Sequence, residues 1–217
     1  MTKPWEPKIL GVKDGLTQAT VAKEGFRERK NFEEFLNIFA GHSHIDSNAA
    51  LSSSLILECV KLKGDAKLTD FLWFSPMSYC AVSQSTFEIL SNHNLFRHKF
   101  YAAHVLDAAG RQVLGYRFFY TDFYDESIID FKGSEFTTGN KFDGFKPVSV
   151  NSISDLNSLK TFYQVKRLRL KDIDENLDLF KTKLSLETIV SERLHKTLVN
   201  AKVTGINFSE IDIEISN

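Results

Sequence analysis

Residues 100–120, FYAAHVLDAAGRQVLGYRFFY, decide the fold class of this chain. Two apolar runs, 100–106 and 112–120, are joined by a short segment that contains Gly110, a pattern typical of a β-hairpin. The strands of a hairpin pair antiparallel, and the elements predicted around this one do not alternate as they would in a parallel α/β sheet. The sequence therefore predicts an α+β fold, with a mixed, largely antiparallel sheet and a few packed helices.

Helices are predicted where a serine precedes an amphipathic segment. Ser83 or Ser85 can cap a helix over 84–90, and Ser191 precedes a helix over 192–201. Neither segment contains a Gly-x-Ser-x-Gly motif, so we expect N-caps rather than nucleophiles. The other predicted elements are a helix over 31–40, strands over 55–63, 72–74, 128–131, 161–170, 178–184 and 206–215, and a loop over 132–158.

The two serine-capped segments suggest an internal repeat. The pairs that keep an offset of 108 residues are Val82-Ser83 with Val190-Ser191, Leu90 with Leu198, Phe100 with Phe208, and Val105 with Ile213. Two copies of strand, helix and strand could bury their apolar faces against a shared sheet. A chance match between two capped helices that each precede a strand is the alternative.

The composition is that of a globular chain with balanced charge. It has 217 residues, 42% of them hydrophobic, with 27 Lys plus Arg against 28 Asp plus Glu. This balance gives no basis for a nucleic-acid partner or a membrane surface, and no apolar run reaches the roughly 18 residues of a membrane helix. We expect a single domain over 1–217, in which 1–65 is the less certain portion. Cys59 and Cys80 lie in apolar stretches and are expected to be buried thiols, which favours the cytoplasm.

Motifs for catalysis are weak. His42, His44 and Asp46 alternate along a short segment and could share a metal ion, but Ser47 follows where zinc sites of this type usually have another histidine. Acidic side chains also gather within 122–130, where a pair of carboxylates could act as acid and base. A polar loop and the rim of a strand explain both groups without chemistry. We therefore expect no catalytic residue, no metal and no cofactor.

The strongest signal is one of recognition. Residues 116–126 hold six aromatic and three acidic side chains. Aromatic residues along a strand point to both faces of a sheet, so some ring stays near solvent unless both faces are covered. A central strand with both faces buried is the alternative. The predicted contact edge, suited to a basic partner, consists of Tyr120, Asp122, Phe123, Tyr124, Asp125 and Glu126.

Two charged stripes lie further along the chain. Lys166, Arg167, Arg169 and Lys171 make one basic stripe, and residues 210–214 carry alternating acids. We expect the stripes to neutralise each other across neighbouring strands.

The order of these elements resembles that of a known family. The motifs that carry the resemblance are Ala81-Val82-Ser83, the hairpin, Ile129-Asp130-Phe131 with Ser134 and Phe136, Val190-Ser191-Glu192-Arg193-Leu194, and Thr204-Gly205-Ile206 with Phe208. Over about residues 68–215, the chain resembles the bacterial immunity proteins of type eleven from polymorphic-toxin systems, first described as a domain of unknown function.

The resemblance implies a cytoplasmic protein that binds and neutralises a cognate toxin in a stoichiometric complex, without catalysis. The nearly neutral charge implies that the toxin need not be a basic nuclease. Two alternatives stay open: an enzyme-type immunity factor, and a small-ligand-binding module with a deep cavity lined by phenylalanine. The oligomeric state is also left open.

Overall fold

The computed structural model describes residues 5–8, 19–21, 29–40, 47–62, 66–74, 79–140, 142, 144–159, 161–182, 184–208 and 212–216. The segment with His42, His44 and Asp46 lies outside the described residues. The helices are α1 (Arg29–Phe35), continued by a π-helical turn (Leu36–Ala40), α2 (Ser47–Ser52), α3 (Gln84–Ser91), α4 (Ile153–Ser158) and α5 (Glu192–Asn200). The strands are β1 (Trp5–Lys8), β2 (Ala19–Val21), β3 (Leu57–Leu62), β4 (Phe71–Phe74), β5 (Tyr79–Ser83), β6 (His98–Leu106), β7 (Gln112–Val113), β8 (Tyr116–Thr121), β9 (Phe123–Tyr124), β10 (Glu135–Asn140), β11 (Gly144–Val148), β12 (Tyr163–Lys171), β13 (Leu179–Thr182), β14 (Ser185–Ser191) and β15 (Ile213–Ser216).

The strands among the described residues form three sheets. The largest has the order β3-β2-β4-β5-β8-β6-β7, and β3 also pairs with β6, so six of its strands close into a ring. The second has the order β1-β14-β13-β9, and the third has the order β11-β10-β12-β15. Most neighbouring strands are antiparallel, including β6 and β8 of the predicted hairpin. The α+β class is therefore confirmed.

The strand registers also confirm the internal repeat. Partner pairs within residues 60–105, here called the first half, recur 108 residues later within residues 168–213, the second half. The corresponding pairs are Phe71–Val82 and Leu179–Val190 between antiparallel strands, and Val60–Val105 and Leu168–Ile213 between parallel strands. The match extends to hydrogen-bond partners and not only to residue type, so chance similarity of two capped helices does not account for it.

Each half leads into a helix that is capped by its serine. The Oγ atoms of Ser83 and Ser191 accept a hydrogen bond from the backbone N–H three residues on, as predicted for N-caps. Each hydroxyl in turn donates to a carboxylate 13 residues earlier, Ser83 to Asp70 at 2.7 Å and Ser191 to Asp178 at 2.5 Å. The repeat thus includes a pair of aspartates that sequence reasoning missed.

These two carboxylates join the halves to each other. Asp70 accepts hydrogen bonds from the N–H and the hydroxyl of Thr204, in the loop after α5, at 2.9 and 2.7 Å. Asp178 accepts from the N–H of Asn94, in the loop after α3, at 2.9 Å, and from Arg193 at 2.6 Å. Burial acts to raise the pKa of both carboxyls, but the hydrogen bonds outweigh it and hold both pKa values below the usual range.

The core follows the same division. One cluster of buried apolar side chains lies between the ring of strands, α1 and α2, and a second lies among β10, β12, β13, β14 and α4. A third cluster is shared, because it combines side chains of β4, β5, β13, β14, α3 and α5. Leu90 of α3 and Leu198 of α5 are at most 1% exposed there. Cys59 and Cys80 are buried, as predicted.

The predicted loop over 132–158 is wrong, because it contains β10, β11 and α4. Gly139 and Gly144 lie at the end of the β10–β11 strand pair. A Cβ on Gly139 would lie 2.1 Å from the carbonyl oxygen of Gly144. Glycine is thus needed for close approach of the two strands.

Two predicted strands are also corrected. The strand over 128–131 is replaced by a 3₁₀ turn, Glu126–Ile128, capped by Asp125, and Ile129 makes only an isolated bridge with Leu170. The closing strand over 206–215 is reduced to β15, since residues 206–208 are not in a strand.

Candidate partner-binding surface

The first two residues of the predicted contact edge lie inside the protein. Tyr120 is 0% and Asp122 is 4% exposed. Asp122 accepts hydrogen bonds from the hydroxyl of Ser47 at 2.5 Å and the N–H of Phe123 at 2.8 Å, and it forms an ion pair with Arg97 at 3.3 Å. Because Ser47 is the first residue of α2, Asp122 holds that helix against the sheet. The structure therefore buries Tyr120 and Asp122 of the predicted edge, while the role of the edge in binding stays a prediction.

The next two residues are half-buried. The ring of Tyr124 stacks on Phe96 with 3.9 Å between centroids, and burial raises the pKa of Tyr124. The Lys181 ammonium lies 5.7 Å from the centroid of the Phe123 ring. Lys181 is itself buried, and burial lowers its pKa to about 8. Phe123 and Tyr124 therefore pack β9 against its surroundings and expose only part of their rings.

Asp125 and Glu126 complete the edge and are exposed. They lie at the side of an open cleft of about 470 Å³, whose lining includes Asp125, Glu126, Asp130, Phe131, Lys132 and Lys171. Most of the residues that line it are polar or charged, with Phe131 the one phenylalanine among them, unlike the deep phenylalanine-lined cavity that a small-ligand module predicts. Lys171 was not expected here. The bridge between Ile129 and Leu170 brings the end of β12 to the cleft, and no local pattern in the sequence signals that pairing.

The carboxylates of this region have structural tasks. Asp125 accepts a hydrogen bond from the N–H of Ser127 at 2.9 Å, and Asp130 accepts one from the N–H of Gly133 at 3.0 Å. Among the described residues, no group of three or more His, Cys, Asp or Glu side chains is placed to hold a metal ion. The geometry of the cleft therefore favours a surface for contacts with a partner over a metal site.

The charged stripes meet across strands at the pair of Arg169 with Glu214, as predicted, whereas Arg167 pairs with an acid outside the acidic stripe. Arg167 pairs with Glu135 at 2.6 Å, on the neighbouring strand β10. Arg169 pairs with Glu214 of β15 at 3.5 Å and with Asp130 at 3.8 Å. These ion pairs are partly exposed, so each adds little to stability, at most about 1 kcal/mol.

The sequence profile of the Immunity protein family (Imm11) matches residues 51–212 of the 217 in the chain. The chain belongs to the Imm11 immunity protein family. In this Imm11 protein the matched range begins in α2 and ends just before β15, so it contains the cleft, the contact edge and nearly all of both repeat halves. No curated protein matches the chain.

Family membership supports an immunity function and a toxin as the partner of this Imm11 protein. No helix in the described part of the chain is long and apolar enough to cross a membrane.

Proposed function

We propose that this Imm11 protein neutralises a cognate bacterial toxin by forming a stoichiometric complex with it in the cytoplasm. Family membership supports the immunity role. Two of the carboxylates near the cleft, those of Asp125 and Asp130, are already engaged by backbone N–H groups. A protein partner is favoured over nucleic acid, since the net charge is -1.

The observation that carries the contact edge is the position of Glu126. Its side chain is exposed, it lines the cleft, and it lies beside the half-buried rings of Phe123 and Tyr124. An exposed acid beside aromatic surface suits a basic group on the partner, because complementary charge at a rim speeds association. We therefore propose Phe123–Glu126 as the contact edge, without the buried Tyr120 and Asp122.

The stoichiometry of protection tests this function against an enzyme-type factor. The toxin encoded beside the gene for this chain is assayed while purified immunity protein is added in increasing amounts. Inhibition by binding should remove the activity linearly up to a fixed molar ratio. Full protection at a few per cent of an equivalent would instead indicate a catalytic factor, and undiminished activity at excess would contradict immunity.

The contact edge is tested by Glu126→Lys. We expect about a tenfold weaker complex, equivalent to about 1.4 kcal/mol, mainly through slower association. Glu88→Lys is the matched control, because Glu88 is also an exposed acid, lies on α3 and does not line the cleft. Equal affinities for the two variants, measured by surface plasmon resonance, would remove Glu126 from the interface.

A further inference from the structure

The strands of the two halves differ in how far they close. In the first half, β8 pairs with β5 on one side and with β6 on the other, which completes the ring. In the second half β1 takes the place of β8, because its four pairs with β14 fall on the residues of β14 that correspond to the four paired residues of β5. Within the described part of the chain, however, β1 and β15 are both the last strands of their sheets. The described strands of the second half therefore stop short of a ring.

The repeat shows what covers the counterpart of β15. Val105 of β6 pairs with Val60 of β3 on one side and, antiparallel, with Val113 of β7 on the other. Ile213 of β15 corresponds to Val105 and pairs with Leu168 of β12 on one side, whereas no described residue pairs with it on the other. The element that suits this second side is therefore an antiparallel strand.

Backbone groups on the second side of β15 are placed to pair with such a strand. The carbonyl oxygen of Asp212 accepts a hydrogen bond from the N–H of Leu168 at 2.8 Å, so it points toward β12. Successive residues of a strand turn their backbone groups to opposite sides, so the N–H and C=O of Ile213 and Ile215 point away from β12. We call these backbone groups of Ile213 and Ile215 the open edge. An edge of this kind is a template for a strand of another chain.

The side chains along β15 define which strand would fit. Ile213 and Ile215 are half-buried against the core cluster of the second half, whereas Asp212 and Glu214 are exposed. Directly opposite residues of paired strands lie on the same face of a sheet. A fitting strand therefore places apolar side chains opposite the two isoleucines and no acid opposite Asp212 or Glu214.

A second copy of this chain does not meet that condition. Two copies of β15 that pair antiparallel about residue 212 or 214 would place that acid opposite itself, and pairing about residue 213 would place Asp212 opposite Glu214. Like charges directly opposite each other destabilise a strand pair. The charges therefore favour a strand from a different protein.

The position of the open edge favours the partner that binds at Phe123–Glu126. Lys171 pairs with Ser216 of β15, and Lys171 also lines the cleft beside Glu126. The end of β15 is thus one strand away from the cleft. A partner on the contact edge could reach β15 with an extended segment without any movement of β12.

We infer that a strand of the toxin pairs antiparallel with β15 at the open edge, in the place that β7 occupies beside β6. This inference rests on the proposed function, because it takes the toxin as the partner. Backbone hydrogen bonds supply the attachment in this mode of binding, and the alternating side chains select the sequence.

Amide hydrogen exchange of the full chain, with and without the toxin inactivated by substitution, tests the pairing. The N–H groups of Ile213 and Ile215 should exchange about tenfold more slowly or less in the complex, because they become hydrogen-bonded there. The N–H of Glu214 is the internal control, since it points toward β12 and should be protected in both states. NMR reads the three amides separately.

A pair of variants at Ile215 tests the contribution to affinity. Ile215→Pro removes an N–H of the open edge but leaves the bonds to β12 in place, and it should weaken toxin binding by about tenfold in calorimetric titration. Ile215→Ala is the matched control, because it also loses packing against the core but keeps the N–H. It should bind within about twofold of the wild type. Thermal melts of the two variants should agree.

The outcomes separate the pairing from the function. Unchanged exchange at Ile213 and Ile215 in a complex that inhibits the toxin, or equal affinities of the two variants, would overturn the inference and keep the proposed function. Protection of both amides in the chain without toxin would show that a second copy or another part of this chain covers the open edge, which would also overturn the inference. No complex with the toxin would overturn both.

Discussion

At the scale of single residues, Asp178 combines burial with charge. Its side chain is 1% exposed, and it accepts hydrogen bonds from Ser191, Arg193 and Asn94. A charged carboxylate in such a position is tolerable only when donors surround it. Asp178 therefore links the first turn of α5 to the loop that follows α3.

We predict that Asp178→Asn lowers the free energy of unfolding by about 2–3 kcal/mol at pH 7, because an amide accepts these hydrogen bonds less strongly than a carboxylate does. The folded pKa of Asp178 is lowered, so the unfolded chain binds the proton first as the pH falls. The stabilisation is complete above about pH 5 and disappears as the pH falls through the folded pKa. Urea unfolding at several pH values should show the gap between wild type and variant closing in acid.

Asp172→Asn is the control for that prediction. Asp172 is exposed, and its φ of +54° is one that asparagine adopts as readily as aspartate. Its unfolding free energy should stay within about 0.5 kcal/mol of wild type. A gap for Asp178→Asn that stays constant down to pH 2 would contradict the titration of Asp178.

The functional residues were only partly predictable at this scale. Burial of Tyr120 and Asp122 depends on α2, which lies far away in the sequence, so the local pattern of aromatics and acids could not reveal it. The exposure of Asp125 and Glu126 was easier to predict, because a charged pair after an aromatic strand end favours a turn.

At the scale of elements, the loop after α5 is fixed by one glycine. Gly205 has a φ of +80°, and a Cβ there would lie 2.4 Å from the carbonyl oxygen of Phe71. The carbonyl of Gly205 also accepts a hydrogen bond from the Trp73 indole at 3.0 Å. The loop therefore lies directly against β4.

We predict that Gly205→Ala lowers the free energy of unfolding by roughly 3 kcal/mol or more, through both backbone strain and collision with Phe71. Gly110→Ala is the matched control, because Gly110 has a φ of +81° and nothing within 4 Å of its Cβ position. Its cost should be about 1 kcal/mol, the strain alone. Equal costs for the two variants in urea denaturation would show that the contact with β4 contributes nothing.

Elements with strong local signals could be predicted, and those without could not. The capped helices α3 and α5 follow from a serine and an amphipathic segment. The strands β10 and β11 contain two glycines, an asparagine, a lysine and a proline, residues that disfavour strands, so their pairing depends on tertiary contacts that propensity does not encode.

At the scale of the whole molecule, each half is held by the other through Asp70 and Asp178 and through the shared core. The single domain over 1–217 stays a prediction, and these contacts support it. We predict one calorimetric unfolding transition whose van't Hoff and calorimetric enthalpies agree, because neither half can lose its structure without exposing the shared core. Two resolved transitions would contradict this prediction. Asp178→Asn should move the single transition to lower temperature and should not split it.

The loop after α5 bonds Asp70 of the first half, and the loop after α3 bonds Asp178 of the second half. This reciprocal contact has an evolutionary consequence. Each half donates hydrogen bonds to the aspartate of the other half, and contacts that are reciprocal in this way are typical of a symmetric homodimer. Duplication and fusion of a gene whose product paired in this way would leave the present arrangement. The two aspartates would then mark a former boundary between subunits, since each accepts hydrogen bonds from a loop that belongs to the other half.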